Sequence, residues 1–377
     1  MRVCYFGTYR EGYSRNQIMI EGLRRNGVEV VECHVRLWHG IDDRVRTASG
    51  GWLRPAFLAR LVRTYWNLLR AYRESGDYDV MVLGYPGQLD VFLARLLTWL
   101  HGKPLVLDVF MSIYLIAAER DLTEKNPITA RLIYLLERFA CALPNLLILD
   151  TAPYVAWFHN TYNIREGRFR LVPTGADDRY FRPVERDKED GKFRVLYYGT
   201  FIPNHGVKYI VEAAKLLRNE PEIQFELIGE GPTKAEALDL VEEYQLANVT
   251  FEGWVRKHDL PHRVGKADVC LGAFGTTPQS MMTVQNKIYE GLAMGKPVIT
   301  GDSPALRRAL SHKEHLYLCE RANPGSLAEA IRVLYRRPEL RKRLREQGHA
   351  AFEQAFTLRK NGRRFASHLQ TLVGKKT

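Results

Sequence analysis

The sequence predicts an α/β protein with two Rossmann-like domains, each built around a parallel sheet. Its 377 residues are more than one hydrophobic core comfortably serves, which favours two domains of ordinary size. In both halves, short apolar segments alternate with helical stretches, and a charged run at 185–192 separates the halves as a linker. We expect a first domain over 1–185, a second over 193–355 and a final helix over 356–377.

The amino-acid composition narrows the choice of binding partners and of cellular compartment. A formal net charge of +12, from 55 Lys and Arg against 43 Asp and Glu, indicates attraction to an anion such as a nucleotide diphosphate or a lipid headgroup. Nucleic acid is a weaker candidate because no recognisable nucleic-acid module accompanies the charge. Five scattered cysteines without a Cys-x-x-Cys pair favour reduced thiols in the cytoplasm and argue against zinc. The first strand begins at once, so we expect no signal peptide, and no apolar run approaches the ~20 residues of a membrane span.

The chain opens with a short apolar strand and a helix near 15–25, the beginning of a Rossmann-like βαβ unit. Gly7 and Gly12 do not have the spacing of G-x-G-x-x-G, so a dinucleotide fingerprint is absent. Ser14 and Arg15 stand at the helix start, where a hydroxyl, a guanidinium and free backbone N–H groups suit an anion such as a phosphate. An ordinary helix cap explains the same two residues equally well.

Residues 52–73 form the most unusual segment. Apolar residues recur there at helical spacing beside five arginines, and no acidic residue occurs before Glu74. With Trp52 and Trp66, such a basic amphipathic helix suits an anionic membrane surface. The alternative is a helix packed on its own sheet with a solvated arginine face.

Asp77-Tyr78-Asp79 resembles a metal-holding Asp-x-Asp motif. It lies directly before a strand, where acidic residues usually close the preceding turn, and it lacks the apolar strand that this motif needs on its N-terminal side. We therefore predict no metal site there or elsewhere in the chain.

Three polar or flexible positions follow the next strands. Gly87 and Gln88 come after the strand at 80–84, at the carboxyl end where open α/β sheets bind ligands. Asp108 ends the strand at 104–109. Asp108 is therefore a polar residue at the same ligand-binding edge, and a loop cap is the alternative.

The second half repeats the alternation of strands and helices. Gly199, Thr200 and His205 lie in the loop that follows its first strand. Gly229 and Gly231 follow the next strand, in a turn whose glycines let backbone N–H groups approach a phosphate or ribose closely. The second of these loops therefore suits a phosphate-containing ligand.

Residues 285–300 indicate a loop, a short helix and a buried strand. Ile288 and Leu292 are one turn apart and can face a core, whereas Lys287 and Glu290 share the opposite side. A solvent-exposed Lys–Glu pair is one explanation of this spacing, and a ligand site is the other.

Residues 283–300 resemble the donor-site signature of retaining, GT-B-fold glycosyltransferases of family 4, whose usual form ends in Glu-x-Leu-Ala-x-Gly-Lys-Pro-Val-Ile. The resemblance implies that Glu290 accepts hydrogen bonds from ribose hydroxyls, and that Lys287, beside Asn286, lies near the diphosphate. It also implies two domains that face each other across a cleft and a C-terminal helix that returns to the first domain. In many members a polar residue at the position of Asp108 lies under the reacting sugar.

The resemblance covers most of the chain, with two departures. Trp254 and Val255 match the segment that brackets the nucleotide base through backbone contacts. Thr200 and His205 stand where the family often has an arginine and a lysine that neutralise the diphosphate. Met282 replaces an earlier glutamate that touches the donor sugar, so the sugar cannot be inferred from the family.

These observations predict a glycosyltransferase that moves a sugar from a UDP-, GDP- or ADP-linked donor to an acceptor hydroxyl, with retention and without a metal or cofactor. The acceptor is a sugar, or a lipid-linked or cell-envelope saccharide, and the location is cytoplasmic or peripheral on the inner membrane face. A nucleotide-sugar epimerase, a phosphorylase or sugar-phosphate synthase, and a non-catalytic relative remain alternatives. The candidate catalytic residues are Asp108 and Lys287. The candidate donor-binding residues are Gly199, Thr200, His205, Gly229, Gly231, Trp254, Val255, Asn286, Lys287 and Glu290. The candidate acceptor-side residues are Ser14, Arg15, Gly87 and Gln88.

Overall fold

The structure is a computed structural model of the chain, and it describes residues 1–37, 54–184 and 191–374. Trp52 and most of the expected linker therefore lie outside the described residues. No helix in the described part of the chain is long and apolar enough to cross a bilayer.

The chain divides into two compact units. Unit 1 comprises Met1–Pro173 together with Leu358–Thr377, and unit 2 comprises Thr174–Thr357. The division after Pro173 falls earlier in the chain than residue 185, where the sequence analysis placed the end of the first domain.

Six parallel strands form the sheet of unit 1. They are β1 (Arg2–Gly7), β2 (Glu29–His34), β3 (Val80–Leu83), β4 (Leu105–Asp108), β5 (Leu146–Leu149) and β6 (Phe169–Leu171). Their order across the sheet is β2-β1-β3-β4-β5-β6. Strands β3, β4 and β5 are buried along their whole length, because helices cover both faces of a parallel sheet, and they therefore read as continuous apolar runs.

Helices connect these strands and cover the two faces of the sheet. They are α1 (Ser14–Arg24), α2 (Pro55–Glu74), α3 (Val91–Leu100), α4 (Ile113–Ala118), α5 (Leu122–Lys125), α6 (Pro127–Ala142) and α7 (Ala152–Tyr162). The chain runs in one direction across the sheet from β1 to β2, and in the opposite direction from β2 to β6. Because crossover connections are right-handed, α1 lies on one face and α2, α3 and α6 lie together on the other.

Unit 2 has the same architecture. Its strands are β7 (Phe193–Tyr198), β8 (Ile223–Ile228), β9 (Val249–Glu252), β10 (Val269–Leu271), β11 (Val298–Gly301) and β12 (Tyr317–Cys319), in the order β12-β11-β10-β7-β8-β9. Its helices are α8 (Val207–Leu216), α9 (Lys234–Glu243), α10 (Leu260–Lys266), α11 (Pro278–Met282), α12 (Asn286–Ala293), α13 (Pro304–Ala309), α14 (Pro324–Arg336) and α15 (Pro338–Ala355). Apolar clusters lie on both faces of this sheet: Tyr197 belongs to one cluster and the next residue, Tyr198, to the other.

The last helix, α16 (Leu358–Gly374), packs on α1 within unit 1. The two helices cross at Gly22 and Gly362, where a Cβ on Gly362 would lie 1.8 Å from the Gly22 carbonyl oxygen. Phe365 and Leu369 extend the core of unit 1 from this helix. The predicted fold class, two Rossmann-like parallel-sheet domains with a C-terminal helix returning to the first, is therefore confirmed.

Candidate active site

Helix α12 carries the two ionisable residues that the sequence singled out. Ile288 and Leu292 are completely buried, as their spacing predicts, and they anchor the helix in the core of unit 2. A Cβ on Gly291 would lie 2.8 Å from a methyl group of Val298, so a glycine is needed for the close approach of α12 to β11. Gly295 then ends the segment with a positive φ of 60°, the left-handed conformation expected after the last turn.

The ammonium of Lys287 lies inside unit 2, over an aromatic ring. Its Nζ is 4.0 Å from the centroid of the Tyr197 ring and 3.4 Å from His205 Nδ1, and the residue is only 6% exposed. Burial lowers the pKa of Lys287 from 10.5 to about 7, although the neighbouring Glu290 acts in the opposite direction. An oxyanion placed beside this amine would restore its positive charge.

The carboxyl group of Glu290 is also buried, with 8% of the residue exposed. Burial raises its pKa from 4.5 to about 7, against the influence of Lys257 and of the neighbouring Tyr198 hydroxyl, both of which favour the ionised form. The Tyr198 hydroxyl also donates to the carbonyl oxygen of Lys287 at 3.2 Å. Asp177 lies close enough to oppose ionisation, and its own carboxylate is 3.7 Å from Lys257 Nζ and bonded to Arg179. The carboxyl group therefore stands close to its point of half-ionisation at neutral pH.

Lys287 and Glu290 do not pair with each other. None of the ion pairs within residues 1–37, 54–184 and 191–374 includes either side chain. Lys287 contacts Tyr197, whereas Glu290 contacts Tyr198, the next residue of β7. The alternative of a solvent-exposed Lys–Glu pair is therefore wrong, because both groups are buried and each has a different neighbour.

His205 contributes a neutral ring beside the ammonium. Its Nδ1 is 2.6 Å from the Thr200 carbonyl oxygen and 2.9 Å from the Tyr197 hydroxyl. Because a carbonyl only accepts hydrogen bonds, Nδ1 carries the proton and Nε2 is the acceptor. Burial and the adjacent Lys287 lower the pKa of His205 well below 6.5, so the ring adds no positive charge at neutral pH.

Glycines allow the two loops beside Lys287 to approach each other. Gly199 has a φ of 139°, and a Cβ there would lie 2.9 Å from Lys287 Nζ. A Cβ on Gly229 would lie 2.0 Å from the Gly199 carbonyl oxygen, and one on Gly231 would lie 2.4 Å from the Phe201 carbonyl oxygen. Backbone groups of the two loops are therefore in direct contact.

The remaining donor-side candidates lie around this centre. Asn286 begins α12 and is half-buried, and Thr200 is half-buried in the loop that holds His205. Trp254 is 68% exposed, and Val255 packs on the adjacent core. Their proposed contacts with a nucleotide base remain predictions.

The sequence analysis did not single out four residues that lie near Lys287 or Glu290. Tyr197 and Tyr198 read as ordinary buried strand residues, and only their position at the carboxyl end of β7 gives a signal. Lys257 lies in a loop and has no motif. Asp177 belongs to a segment that resembles the family, but its contact with Lys257 joins positions far apart in the chain.

Met282, which replaces the family's glutamate, is 9% exposed and ends α11. The same segment is held by the buried Arg321, whose Nη1 donates to the Gly275 carbonyl oxygen and to Ser280 Oγ, each at 2.7 Å. Arg321 Nε donates to the carbonyl oxygen of Asp302 at 2.6 Å. An arginine from the end of β12 thus braces the segment that the family uses beside the sugar.

The acceptor-side and catalytic candidates of unit 1 differ from the prediction. Arg15 and Asp108 are both completely buried and form a bidentate ion pair, with Nε–Oδ2 2.8 Å and Nη2–Oδ1 2.9 Å. Arg15 Nη1 also donates to the Val172 carbonyl oxygen at 2.8 Å. Neither residue is a helix or loop cap, and neither presents a free charge to a substrate; their pairing instead joins α1, β4 and the chain after β6.

Gly87 and Gln88 are internal as well. A Cβ on Gly87 would lie 2.9 Å from a methyl group of Leu107, and Gln88 is 2% exposed with its amide 3.3 Å from Glu137 Oε1. Ser14 is half-buried at the start of α1. Gly87 and Gln88 therefore shape the carboxyl edge of the unit 1 sheet from inside, whereas the acceptor-side role of the partly exposed Ser14 remains a prediction.

The structure also shows what the Asp-x-Asp segment does. Asp77 pairs with Lys103 at 2.8 Å, and Asp79 Oδ2 accepts the backbone N–H of Arg2 at 2.7 Å. These contacts attach the segment before β3 to the first residue of β1 and to the segment before β4. Throughout the ranges that the structure describes, no three His, Cys, Asp or Glu side chains are grouped so as to hold a metal ion.

Two Rossmann-like units, each built on a six-stranded parallel sheet, form a GT-B fold. Comparison with known proteins supports this class. The sequence model of the family "Glycosyl transferases group 1" matches residues 179–351, all of which lie in unit 2. The similarity to this family therefore covers most of unit 2 and less than half of the chain.

Three similar proteins illustrate the relationship. Alpha-D-kanosaminyltransferase from Streptomyces kanamyceticus is 25% identical over 268 residues, which are 68% of this chain and 67% of that protein. Sucrose-phosphate synthase (tll1590) from Thermosynechococcus elongatus has 18% identity and a TM-score of 0.76, with all of both chains covered. The Anabaena protein Alr3699/HepE, solved in complex with UDP-glucose, has 15% identity and a TM-score of 0.69, covering 98% of this chain and 100% of that one. Two further curated glycosyltransferase relatives are matched over only 47% and 41% of their own length.

Proposed function

We propose that the chain transfers a sugar from a nucleotide-sugar to an acceptor hydroxyl, with retention at the anomeric carbon. The observation that carries the proposal is the buried ammonium of Lys287, which has no carboxylate partner among the described residues and whose pKa is lowered to about 7. Such a group is unfavourable in the free protein and becomes favourable when a diphosphate supplies its counter-ion.

Lys287 would hold the diphosphate of the donor. As the bond between the sugar and the diphosphate breaks, negative charge develops on the leaving phosphate oxygen. An ammonium fixed at this oxygen stabilises the charge more in the transition state than in the ground state, which lowers the barrier. The proton of the acceptor hydroxyl would pass to that same oxygen as the new glycosidic bond forms, which requires both groups on one face of the sugar.

Glu290 would bind the ribose. A carboxylate accepts two hydroxyl donors at once, and the Tyr198 hydroxyl and Lys257 already favour its ionised form. The separation of Lys287 and Glu290 towards different neighbours, Tyr197 and Tyr198, suits two parts of one nucleotide. The UDP-glucose complex of the similar Anabaena protein supports a nucleoside diphosphate donor.

Calorimetry with UDP-, GDP- and ADP-glucose tests the donor site. We expect one of them to bind, and Lys287→Ala and Glu290→Ala each to weaken that binding by about 10- to 100-fold, as for a lost charged hydrogen-bond partner. Glu243→Ala, at an exposed position on α9, is the matched control and should bind normally. Absence of binding by wild type to all three sugar nucleotides would contradict the proposal.

A product assay tests the reaction itself. The sugar nucleotide that binds is incubated with a panel of saccharide and lipid-linked acceptors, and nuclear magnetic resonance reports the anomeric configuration of the product. A product with the donor's configuration supports retention, and inversion would contradict it. An epimerised sugar nucleotide formed without any acceptor would favour an epimerase instead.

The acceptor and the location belong to the same proposal. We propose a sugar or lipid-linked saccharide as the acceptor and a cytoplasmic enzyme that works at the inner face of a membrane. The net charge of +12 supports this location, because a positively charged protein is attracted to an anionic membrane surface.

A further inference from the structure

One helical layer of unit 1 has an outer surface that residues 1–37, 54–184 and 191–374 leave uncovered. Helices α2, α3 and α6 share one face of the sheet, because the connections from β2 to β5 all run in the same direction. The Tyr65 hydroxyl on α2 donates to Asp90 at the start of α3 at 2.8 Å, and Tyr72 lies 3.3 Å from His101 at its end. We call these three helices the outer layer.

Large apolar side chains project from the outer layer into solvent. Ten of the fifteen exposed large hydrophobic residues among those the structure describes lie on α2, α3 and α6. Trp66 is 55% exposed, Trp99 69% and Ile128 75%, so more than half of the surface of each residue faces solvent. The other seven are Leu58, Val62, Phe92, Leu96, Leu100, Leu132 and Phe139. An apolar patch distributed over three helices indicates an interaction surface rather than isolated exposed residues.

Arginines accompany these apolar groups, and acidic residues do not. The exposed arginines of the outer layer are Arg63, Arg70, Arg73, Arg131 and Arg138. The helices contain two acidic residues: Glu74 at the last position of α2, and Glu137, which is completely buried and bonded to Ser112 and Tyr162. The exposed surface of the outer layer is therefore apolar and positively charged.

We propose that the outer layer lies on the surface of an anionic lipid bilayer. Tryptophan rings place their apolar bodies among the upper acyl chains, and guanidinium groups bind the phosphates of lipid headgroups. No helix in the described part of the chain can span a bilayer, so the contact is peripheral. This surface lies outside the donor site of unit 2, and its binding to lipid does not depend on sugar transfer.

The charge pattern is the reason for choosing a bilayer as the occupant. A protein partner would need acidic groups placed opposite five exposed arginines, three on α2 and two on α6. A bilayer that contains anionic lipid supplies phosphates at every position of such a surface. The mixture of aromatic and aliphatic groups between the arginines requires an acyl region next to those phosphates.

Vesicle co-sedimentation of the full chain tests the proposal. We expect binding to vesicles of phosphatidylglycerol and phosphatidylcholine in equal parts, and little binding to phosphatidylcholine alone. The double variant Arg63→Gln/Arg70→Gln should weaken binding on the order of 25-fold, from about 5-fold for each arginine near an anionic surface. Lys342→Gln/Arg343→Gln removes two exposed charges from α15 and should bind as wild type does.

A second pair of variants separates insertion from simple charge attraction. Trp66→Ser/Trp99→Ser keeps every arginine and should weaken binding, whereas Leu216→Ser/Leu238→Ser, at exposed positions of unit 2, should not. Normal melting temperatures and normal sugar-nucleotide affinity in these variants would show that the units remain folded. Failure of wild type to bind anionic vesicles, wild-type binding by both outer-layer variants, or a stable dimer that buries this surface would overturn the proposal.

Discussion

The affinity for a sugar nucleotide should depend on pH in a way that identifies both ionisable residues. In the free protein the pKa of Lys287 is lowered to about 7 and that of Glu290 is raised to about 7, in both cases mainly by burial. A bound diphosphate favours charged Lys287, and bound ribose hydroxyls favour ionised Glu290. Binding should therefore be tightest near pH 7, where each group still has an appreciable charged fraction.

The size of the effect follows from these values. If binding restores the pKa values of Glu290 and Lys287 to 4.5 and 10.5, affinity should fall about 8-fold between about pH 7 and pH 5.5. It should also fall about 8-fold between about pH 7 and pH 8.5. The acidic decrease comes from protonation of Glu290, and the alkaline decrease from deprotonation of Lys287.

Single substitutions separate the two decreases. Glu290→Gln should bind more weakly overall, and its affinity should rise about 2-fold as pH falls from about 7 to 5.5, because only Lys287 still titrates. Lys287→Met should lose the alkaline decrease and keep the acidic one. Calorimetry should use an intact sugar nucleotide, because its diphosphate does not change charge in this range, whereas a free nucleoside diphosphate does. If both variants kept the wild-type profile, the assignment of these residues to the ligand would be refuted.

Ionised Glu290 should strengthen sugar-nucleotide binding but destabilise the unliganded protein as pH rises. The folded-state pKa of Glu290 is raised above its ordinary value of 4.5 to about 7, so folding becomes less favourable as pH rises through this interval. The cost at about pH 8 is at most about 3 kcal/mol. Glu290→Gln should therefore raise the melting temperature of the unliganded protein at pH 8, while Glu243→Gln should not.

Three further substitutions test the supporting structure. Gly199→Ala should abolish sugar-nucleotide binding in calorimetry, because the new Cβ would lie 2.9 Å from Lys287 Nζ at a φ of 139°; binding equal to that of wild type would contradict this. Asp108→Asn should lower the free energy of unfolding in urea by about 3 kcal/mol, because it leaves Arg15 buried without its counter-ion. The double variant Arg15→Met/Asp108→Leu should lose less stability than the sum of the losses of Arg15→Met alone and Asp108→Leu alone. Gly362→Ala should lower the melting temperature, because a Cβ there would lie 1.8 Å from the Gly22 carbonyl oxygen, whereas Gly374→Ala, whose Cβ meets nothing within 4 Å, should not.

The fold could be predicted because its evidence is local. The alternation of apolar segments and helices gave both parallel sheets, and the segment at 285–300 gave α12 with the positions of Ile288 and Leu292. The same spacing placed Lys287 and Glu290 on one side of the helix, but it could not give their burial. That burial depends on Tyr197, Tyr198 and the loops after β7 and β8, which reach α12 only in the folded unit.

The burial of Arg15 and Asp108 in unit 1 could not be predicted for a similar reason. Arg15 begins a helix and Asp108 ends a strand, so each position taken alone indicates a free polar group at the ligand edge. Their ion pair joins residues 93 positions apart, and periodicity carries no information about such a contact. For the segment 52–73, the sequence left open whether the helix was covered by protein; only Thr64 and Leu68 of α2 are buried.

The neutral state of His205 explains why pH should matter so much at this site. Family members with an arginine and a lysine in this loop hold the diphosphate with cations that stay charged far above neutral pH. Here Thr200 contributes a carbonyl oxygen to His205 Nδ1, and burial and the adjacent Lys287 hold the ring neutral. If Lys287 supplies the charge opposite the diphosphate, as we propose, its deprotonation should weaken binding, because the neutral ring beside it cannot replace that charge. Replacing His205 by Lys or Arg should therefore strengthen sugar-nucleotide binding above about pH 8 and flatten the alkaline decrease; an unchanged profile would show that the diphosphate is held elsewhere.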